Sequence, residues 1–466
     1  MKIEFFGAAQ VVTGSKHLIT TETGTKILLD CGMFQGSDQD SSYMNRHFGF
    51  NPGEVHYVIL SHAHIDHSGL LPRLVNEGFR GKIFCTPGTR ALCEIMLMDS
   101  AHIQENDVKY VNKRRKKRGE ELLDPLYDVN SVQRCMGMFH TVPYHDEFTI
   151  NGEVSFHFTD AGHILGSAAV HLTIKEQRDI LLTFTGDIGR PGDIILRSPE
   201  AFRQADYIIC ESTYGDRLHE PMGNTLERLT QVVFETCVAK QGKLIIPAFS
   251  VDRTQELVYQ LDQLSSSGKL PSVKVYVDSP LSVKATMTMR EHDEYFNPDI
   301  LEYIKKDGDA FSFPNLHYIS NVEESKKLNS SKEPCIIISA SGMAEAGRIK
   351  HHIANNIENP NNTILIVGYC SPTSLGGALR AGEKEVRIFG DEYKVNAHVE
   401  VMDAFSAHAD YKEILEYLSS QNPGLVRKLF LVHGDLEAQM AFIPRLKGAG
   451  FVNIEMPEMG EAFEVK

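Results

Sequence analysis

A chain of 466 residues exceeds the size at which one hydrophobic core stops growing, so two domains, or three, are expected. Its formal net charge of −15 argues against a protein that coats nucleic acid nonspecifically, since that needs clustered Lys and Arg; a nucleic-acid enzyme would need local positive charge or bound cations instead. The eight cysteines form no Cys-x-x-Cys pair, no secretory signal series leads the chain, and no apolar run reaches membrane-spanning length, which reads as a cytoplasmic protein with buried thiols and no membrane segment.

The chain begins with short apolar runs between Gly-rich turns: Ile3 to Phe6, His17 to Thr20 and Ile27 to Leu29. These read as strands, expected to be antiparallel. Asp30, at a strand end, either makes a turn or supports a metal ligand from behind. Val55 to Leu60 alternates as a strand and runs into Ser61-His62-Ala63-His64-Ile65-Asp66-His67, which a helical pattern from Leu70 to Glu77 follows. Three imidazoles and a carboxylate thus fall within six positions. His62 and His64 are two apart and point the same way on extended chain, whereas Asp66 and His67 begin a helix and face a second point. That spacing suits two metal ions side by side.

A strand at Lys82 to Cys85 and a helical pattern from Arg90 come next. Between His102 and Tyr127 the chain becomes highly charged and contains Lys113-Arg114-Arg115-Lys116-Lys117-Arg118, a basic block in an acidic protein. An exposed helical insertion is expected there, either a solvated face or, for a polyanionic substrate, a binding surface. Further strand patterns then deliver candidate ligands at their ends: Val154 to Phe158 precedes His163, Ile180 to Phe184 precedes Asp187, and Tyr207 to Cys210 precedes Glu211-Ser212-Thr213-Tyr214.

From Asn224 buried strand patterns, Leu244 to Ile246, Val273 to Val277, Ile336 to Ile338 and Ile364 to Val367, alternate with helical ones such as Arg253 to Leu264. This is the signature of a parallel sheet covered by helices. Two strand exits are rich in small residues, Ser339 to Met343 with Gly347-Arg348, and Ser371 to Gly377. Such loops either offer backbone N–H groups to a phosphate or serve helix packing. The last segment holds Val399 to Met402, then Phe405-Ser406-Ala407-His408-Ala409-Asp410, and Leu429 to Val432 ending in His433. A parallel-sheet domain at 212–389 is therefore expected to interrupt a first domain made of 1–211 and 390–466.

The ordered set Asp30, Ser61 to His67, His163 and Asp187 resembles the metallo-beta-lactamase fold, and Glu211, His408 and His433 match further motifs of its beta-CASP nucleases. Gly14-Ser15, Pro247-Ala248-Phe249-Ser250 with Arg253, and Ser339 to Arg348 are similar to stretches of the prokaryotic RNA-cleaving members. The resemblance covers essentially the whole chain and is strongest to bacterial two-domain relatives of the endonuclease subunit of the mRNA 3'-end cleavage machinery. It implies an α/β fold, a metallo-beta-lactamase αββα sandwich with an inserted beta-CASP domain whose parallel sheet is flanked by helices.

The resemblance also implies two Zn2+ ions, one on His62, His64 and His163, the other on Asp66, His67 and His433, with Asp187 bridging them. A hydroxide shared by the metals would attack the phosphorus of single-stranded RNA, cutting internally and leaving 5'-phosphate ends. Asp66, His408 and Glu211 are the implied catalytic residues, His408 as general acid and Glu211 as its carboxylate partner. Asp30 is the implied support behind the ligands, and Arg253, Ser339, Ser341 and Arg348 are implied contacts for RNA phosphates. A homodimer is compatible with the family, and no KH module or C-terminal extension is expected. Two features depart from the family pattern: Asp252 stands where related chains commonly have Gly, and the basic run from Lys113 to Arg118 is not a family motif. The competing readings are a hydrolase of a small thioester or lactone acting through the same metals, and a non-catalytic zinc-bearing RNA-binding subunit. A DNA nuclease is the nearest rival, and His433 weighs against it.

Overall fold

Ile3 and Phe5 are fully buried while Lys2, Glu4 and Phe6 are only partly so, the period of two that makes Lys2–Gly7 a strand with one face in a core. The computed structural model describes residues 1–36, 39–219, 225–368, 370–371, 373–402 and 406–466; Asn224, Pro372 and Phe405 lie outside the described residues. The described chain divides into two units, Met1–Leu218 with His408–Lys466, and His219–Ala407.

The first unit is built on two seven-stranded sheets. In one, Ala462–Glu464, Lys2–Gly7, Lys16–Thr20 and Lys26–Leu29 pair antiparallel, after which Tyr57–Ile59, Lys82–Cys85 and Phe139–Thr141 continue in parallel. In the other, Phe148–Thr149, Val154–Asp160, Ala168–Lys175 and Asp179–Phe184 are antiparallel neighbours, and Tyr207–Glu211, Lys428–Val432 and Ile454–Glu455 add on in parallel. The sheets meet across a shared core in which Ile3, Phe5, Leu29 and Phe84 of the first pack with Phe156, Phe158, Phe184 and Phe430 of the second. Phe5 lies 5.1 Å from Phe430 and Phe84 5.4 Å from Phe156, centroid to centroid. Each such side chain contributes about 1.5–3 kcal/mol by leaving water. The outer face of the second sheet, with Ile208, Cys210, Leu429 and Leu431, is covered by Ile414, Leu418, Phe442 and Leu446 of helices Tyr411–Leu418 and Leu436–Gly448.

The charged block expected as a separate insertion is the distal part of one continuous helix, Pro87–Arg118. Thr86 caps its start by accepting from the Thr89 amide, Pro87 occupies the first turn, and Gly119 at φ 67° ends it. Sequence patterning misses this continuity because the apolar spacing that marks the helix stops near Ala101, where the helix leaves the core.

The second unit holds a six-stranded, all-parallel sheet in the order Leu316–Tyr318, Lys274–Val277, Cys335–Ser339, Leu244–Pro247, Thr363–Ile366, His398–Val401. Its inner strands are buried throughout, which is why they read as unbroken apolar runs. His398–Val401, grouped by sequence with the last segment, instead pairs with Thr363–Ile366 here. All eight cysteines are buried free thiols, and burial pushes Cys31 up to about 12. Among the described residues no helix is long and apolar enough to cross a membrane.

Candidate metal centre

Strands that run in the same direction end on the same edge, where connecting loops can gather side chains. Asp179–Phe184, Tyr207–Glu211 and Lys428–Val432 are such parallel neighbours, so Asp187, Glu211 and His433 emerge together at their ends. Tyr57–Ile59 lies parallel to Lys26–Leu29 and hands the chain to Ser61–His67 beside Asp30. His64 stands at the N-cap of a short helix, Ile65–Ser68, whose first turn holds Asp66 and His67. His163 sits in the turn after Val154–Asp160, its amide donating to Ser167 Oγ at 2.9 Å.

Among the described residues, two of the resulting groups of donor atoms contain the expected ligands. In the first, His64 Nδ1 lies 3.2 Å from His62 Nε2 and 3.1 Å from His163 Nε2, and Asp187 Oδ2 lies 3.4 and 3.5 Å from those same two nitrogens. In the second, His67 Nε2 lies 3.1 Å from His433 Nε2 and 3.2 Å from Asp187 Oδ1, and Asp66 Oδ2 lies 3.5 Å from His433 Nε2. A tetrahedral ion with ligands at about 2.0–2.1 Å holds its donors about 3.3–3.4 Å apart, so both sets fit such an ion. Asp187 gives one oxygen to each set. Its Oδ1 is buried and accepts no hydrogen bond, a cost that a cation would offset.

Hydrogen bonds behind the rings select which nitrogen faces inward. Asp30 Oδ2 accepts from His67 Nδ1 at 2.6 Å, leaving Nε2 for the site. Ser61 donates to Asp30 Oδ2 at 2.9 Å, and its oxygen is then placed to accept from His62 Nδ1 at 3.1 Å. Thr213 donates to Glu211 Oε2 at 2.7 Å and receives His433 Nδ1 at 3.0 Å. Burial pulls the His62 pKa well below the ordinary imidazole range and that of His64 to about 4, so both rings keep lone pairs for a ligand. Burial resists ionisation of Asp66, yet the neighbouring His433, His67 and His64 rings bring it to about 2. Burial likewise opposes a charged His67, but Asp187 and Asp30 outweigh it and hold its pKa well above the usual value. A cation at that ring would displace its proton.

Beside the donor sets, His408 Nδ1 lies 3.3 Å from Glu211 Oε2 and 3.9 Å from Asp187 Oδ2. Burial lowers the His408 pKa, but Glu211, Asp187 and Asp66 raise it to about 9. Glu211 is itself fully buried and is anchored by the Ile188 amide as well as by Thr213.

The expected phosphate contacts all lie in the second unit, and the structure gives them internal partners. The Arg253 guanidinium is buried against Glu256 of its own helix. Ser339 Oγ donates to Asp278 O at 2.7 Å. Arg348 binds Asp278 Oδ1 at 2.6 Å and the Ser320 carbonyl at 2.6 Å. Ser341 remains nearer the surface, with Oγ 3.4 Å from Ala346 O. Asp252 adopts φ 71°, a conformation suited to glycine, at the N-cap of Arg253–Ser266.

Sequence reasoning missed Thr213, which joins Glu211 to His433, although it stands within the quoted Glu211 stretch. It also missed Lys16. This lysine is 1% exposed, donates to the carbonyls of Gly14 and Gly32 at 2.8 Å each, and is drawn down to about 7 by burial. The loop it ties is tight against the site, because a Cβ on Gly32 would stand 1.6 Å from the Asp66 carbonyl oxygen.

Residues 13–129 match the metallo-beta-lactamase superfamily, 254–379 the Beta-Casp domain, and 392–457 the Zn-dependent metallo-hydrolase RNA specificity domain. The chain is 32% identical to Ribonuclease TTHA0252 of Thermus thermophilus, over 100% of both chains. It is 30% identical to transcription termination factor FttA of Methanosarcina mazei, over 94% of this chain and 67% of that one. It is also 30% identical to an RNase J-like protein of Methanocaldococcus jannaschii, over 94% of each. A solved structure of a protein of unknown function from Enterococcus faecalis shares the fold, with a TM-score of 0.55 at 12% identity over 99% of each chain.

Proposed function

Since the chain belongs to the beta-CASP family of metallo-beta-lactamase-fold hydrolases, we propose that it is a zinc-dependent ribonuclease that cuts single-stranded RNA internally and leaves 5'-phosphate ends. One observation carries this reading: two donor sets of imidazole and carboxylate share Asp187, one oxygen each, with a carboxylate-held imidazole beside them. His62, His64 and His163 would hold one ion, Asp66, His67 and His433 the other. When bound, the pair would supply Lewis acidity that eases deprotonation of a water and offsets phosphate charge.

The chain's own residues account for the rest. Asp187 sets the spacing of the two positions. Asp30, Ser61 and Thr213 hold the rings so that the inward nitrogens keep their lone pairs. His408, oriented by Glu211, gives a proton to the departing 3'-oxygen, a step that hydrolysis of a small activated ester does not need.

The test is to incubate wild type, Asp66→Ala and His408→Ala with end-labelled single-stranded RNA and DNA, to quantify bound zinc, and to map product ends. Internal cuts with 5'-phosphates on RNA, lost in both variants, support the proposal. Zinc-loaded protein that leaves RNA intact sinks it.

A further inference from the structure

The long helix Pro87–Arg118 links the metal centre to the basic block. At its start, the hydroxyls of Thr86 and Thr89 both donate to the carbonyl of Gly166, at 2.5 and 2.8 Å, in the turn that carries His163. At roughly 1.5 Å of rise per residue, Lys113 lies about 40 Å further along the axis. The helix is thus a rigid arm with one end on the centre and the other in solvent.

The arm's tip has two faces. On one, a returning segment is bound. Asn112 exchanges hydrogen bonds with Leu123 at 2.9 Å each way, Arg115 Nε donates to the Glu121 carbonyl at 2.5 Å, and Glu120 pairs with Arg115 at 3.2 Å and Arg118 at 3.9 Å. On the other, Lys109, Tyr110, Lys113, Arg114, Lys116 and Lys117 share one side of the helix, each three or four residues from another of them, and all are exposed. Lys109 has Glu105 at 3.9 Å. Among the described residues no carboxylate pairs with Lys113, Arg114, Lys116 or Lys117. The Arg114 guanidinium sits 4.7 Å over the ring of Tyr110, which is 59% exposed.

The helix dipole favours Lys116 and Lys117 in the last turn, but Lys109, Lys113 and Arg114 stand further back, where like charges at these spacings repel and destabilise a helix, so local stability does not explain the whole face. In a chain of net charge −15 it is a concentrated exception. An unpaired cation row tracks phosphates, and an exposed aromatic among them offers a surface for a base to stack on. The face has no Leu, Ile, Val or Phe between 109 and 117 that could enter a bilayer, since Val111 points to another side of the helix.

We propose that this face of the arm, Lys109 to Lys117, is a second RNA-binding surface that grips the substrate strand remote from the bond cut at the metal centre. The proposal rests on the ribonuclease reading above. At about 3.4 Å per nucleotide, a stacked strand of roughly 12 nucleotides spans the two places.

The test compares wild type with Lys113→Gln/Lys116→Gln/Lys117→Gln and with Tyr110→Ala; glutamine keeps the helix, which circular dichroism checks. Binding of a single-stranded RNA of about 40 nucleotides is measured by fluorescence anisotropy across a salt series. The triple variant should bind about tenfold or more weakly, with a salt slope shallower by about 2, at about 0.7 for each phosphate no longer neutralised. Tyr110→Ala should weaken binding about fivefold or more. Cleavage of an RNA of about six nucleotides, which in stacked form spans only about 20 Å, should be the same in both variants as in wild type. Unchanged affinity and slope for the long RNA overturns the proposal. So does loss of binding to phosphatidylglycerol vesicles with RNA binding unaffected, which would make the arm a membrane-docking element. If wild type binds long RNA through the arm yet cleaves no RNA of any length, the ribonuclease reading fails while the arm's role stands.

Discussion

Asp30 Oδ2 receives the Nδ1–H of His67 at 2.6 Å while Asp30 Oδ1 receives the amide of Ser61 at 2.8 Å. One buried carboxylate thereby holds both ends of the Ser61–His67 segment. Removing a partner behind a metal ligand typically costs about 10–100-fold in metal affinity. Asp30→Asn should therefore lower zinc affinity by that order, read by competition with a chromophoric chelator. Unaltered affinity would reduce Asp30 to a turn former.

His408 touches Glu211 and lies outside the two expected ligand sets, although donor atoms of Asp187, Glu211, His408 and His433 also lie within 4.8 Å of one another. His408→Ala should lower RNA cleavage by about 10²–10⁴-fold, the usual size of a general-acid contribution, with zinc content unchanged. Glu211→Gln should lower it less, because the imidazole remains. Loss of metal in His408→Ala would instead make it a ligand.

A cation that binds the folded chain and not the unfolded one stabilises by mass action. At about 100 times the dissociation constant each site adds about 2.7 kcal/mol. Stripping the protein with a chelator should lower the denaturation midpoint, and Asp187→Asn, which damages both donor sets, should show little further response to chelator.

Asp160 is buried at the end of its strand and accepts from the Gly162 amide at 2.9 Å. Burial raises its pKa from 3.8 to about 7, with Glu200 adding to the rise. The folded state thus favours the neutral acid. The associated stability is fully present below the unfolded pKa near 4 and is lost as pH rises to about 7, a change of up to about 4 kcal/mol. Asp160→Asn, which keeps the acceptor, should match wild type near the acid end of that window and exceed it at neutral pH in chemical denaturation. Equal pH profiles for the two proteins would show that Asp160 titrates normally.

Asp252 holds a left-handed φ of 71° that glycine adopts freely. Asp252→Gly should raise stability by about 1 kcal/mol, measured by urea midpoint at constant m-value. A destabilised variant would mean that the carboxylate's interactions outweigh the strain.

Much of the centre is legible in the chain because its ligands obey local rules. Ser61 to His67 compresses four ligand-type side chains into a strand end and a first helical turn, and His163, Asp187 and His433 each follow a short alternating or apolar run that reads as a strand. The inserted sheet is legible for the same reason, since strands covered on both faces are apolar throughout. The edge strand His398–Val401 is not, because it is half-exposed and its pairing is chosen by a neighbour in space. The continuation of Pro87–Arg118 past the core is also hidden, as a helix in solvent shows no apolar period.

By itself, then, the order of residues determined that imidazoles and carboxylates gather where strands end, because alternation and apolar runs are properties of neighbours in sequence. Only the tertiary structure decided which nitrogen of each ring turns inward, that Thr213 ties Glu211 to His433, and that Arg253 and Arg348 commit their charges to Glu256 and Asp278. Apart from the i,i+3 spacing of Arg253 and Glu256, whose burial is what the sequence does not show, those choices depend on partners tens to hundreds of residues away.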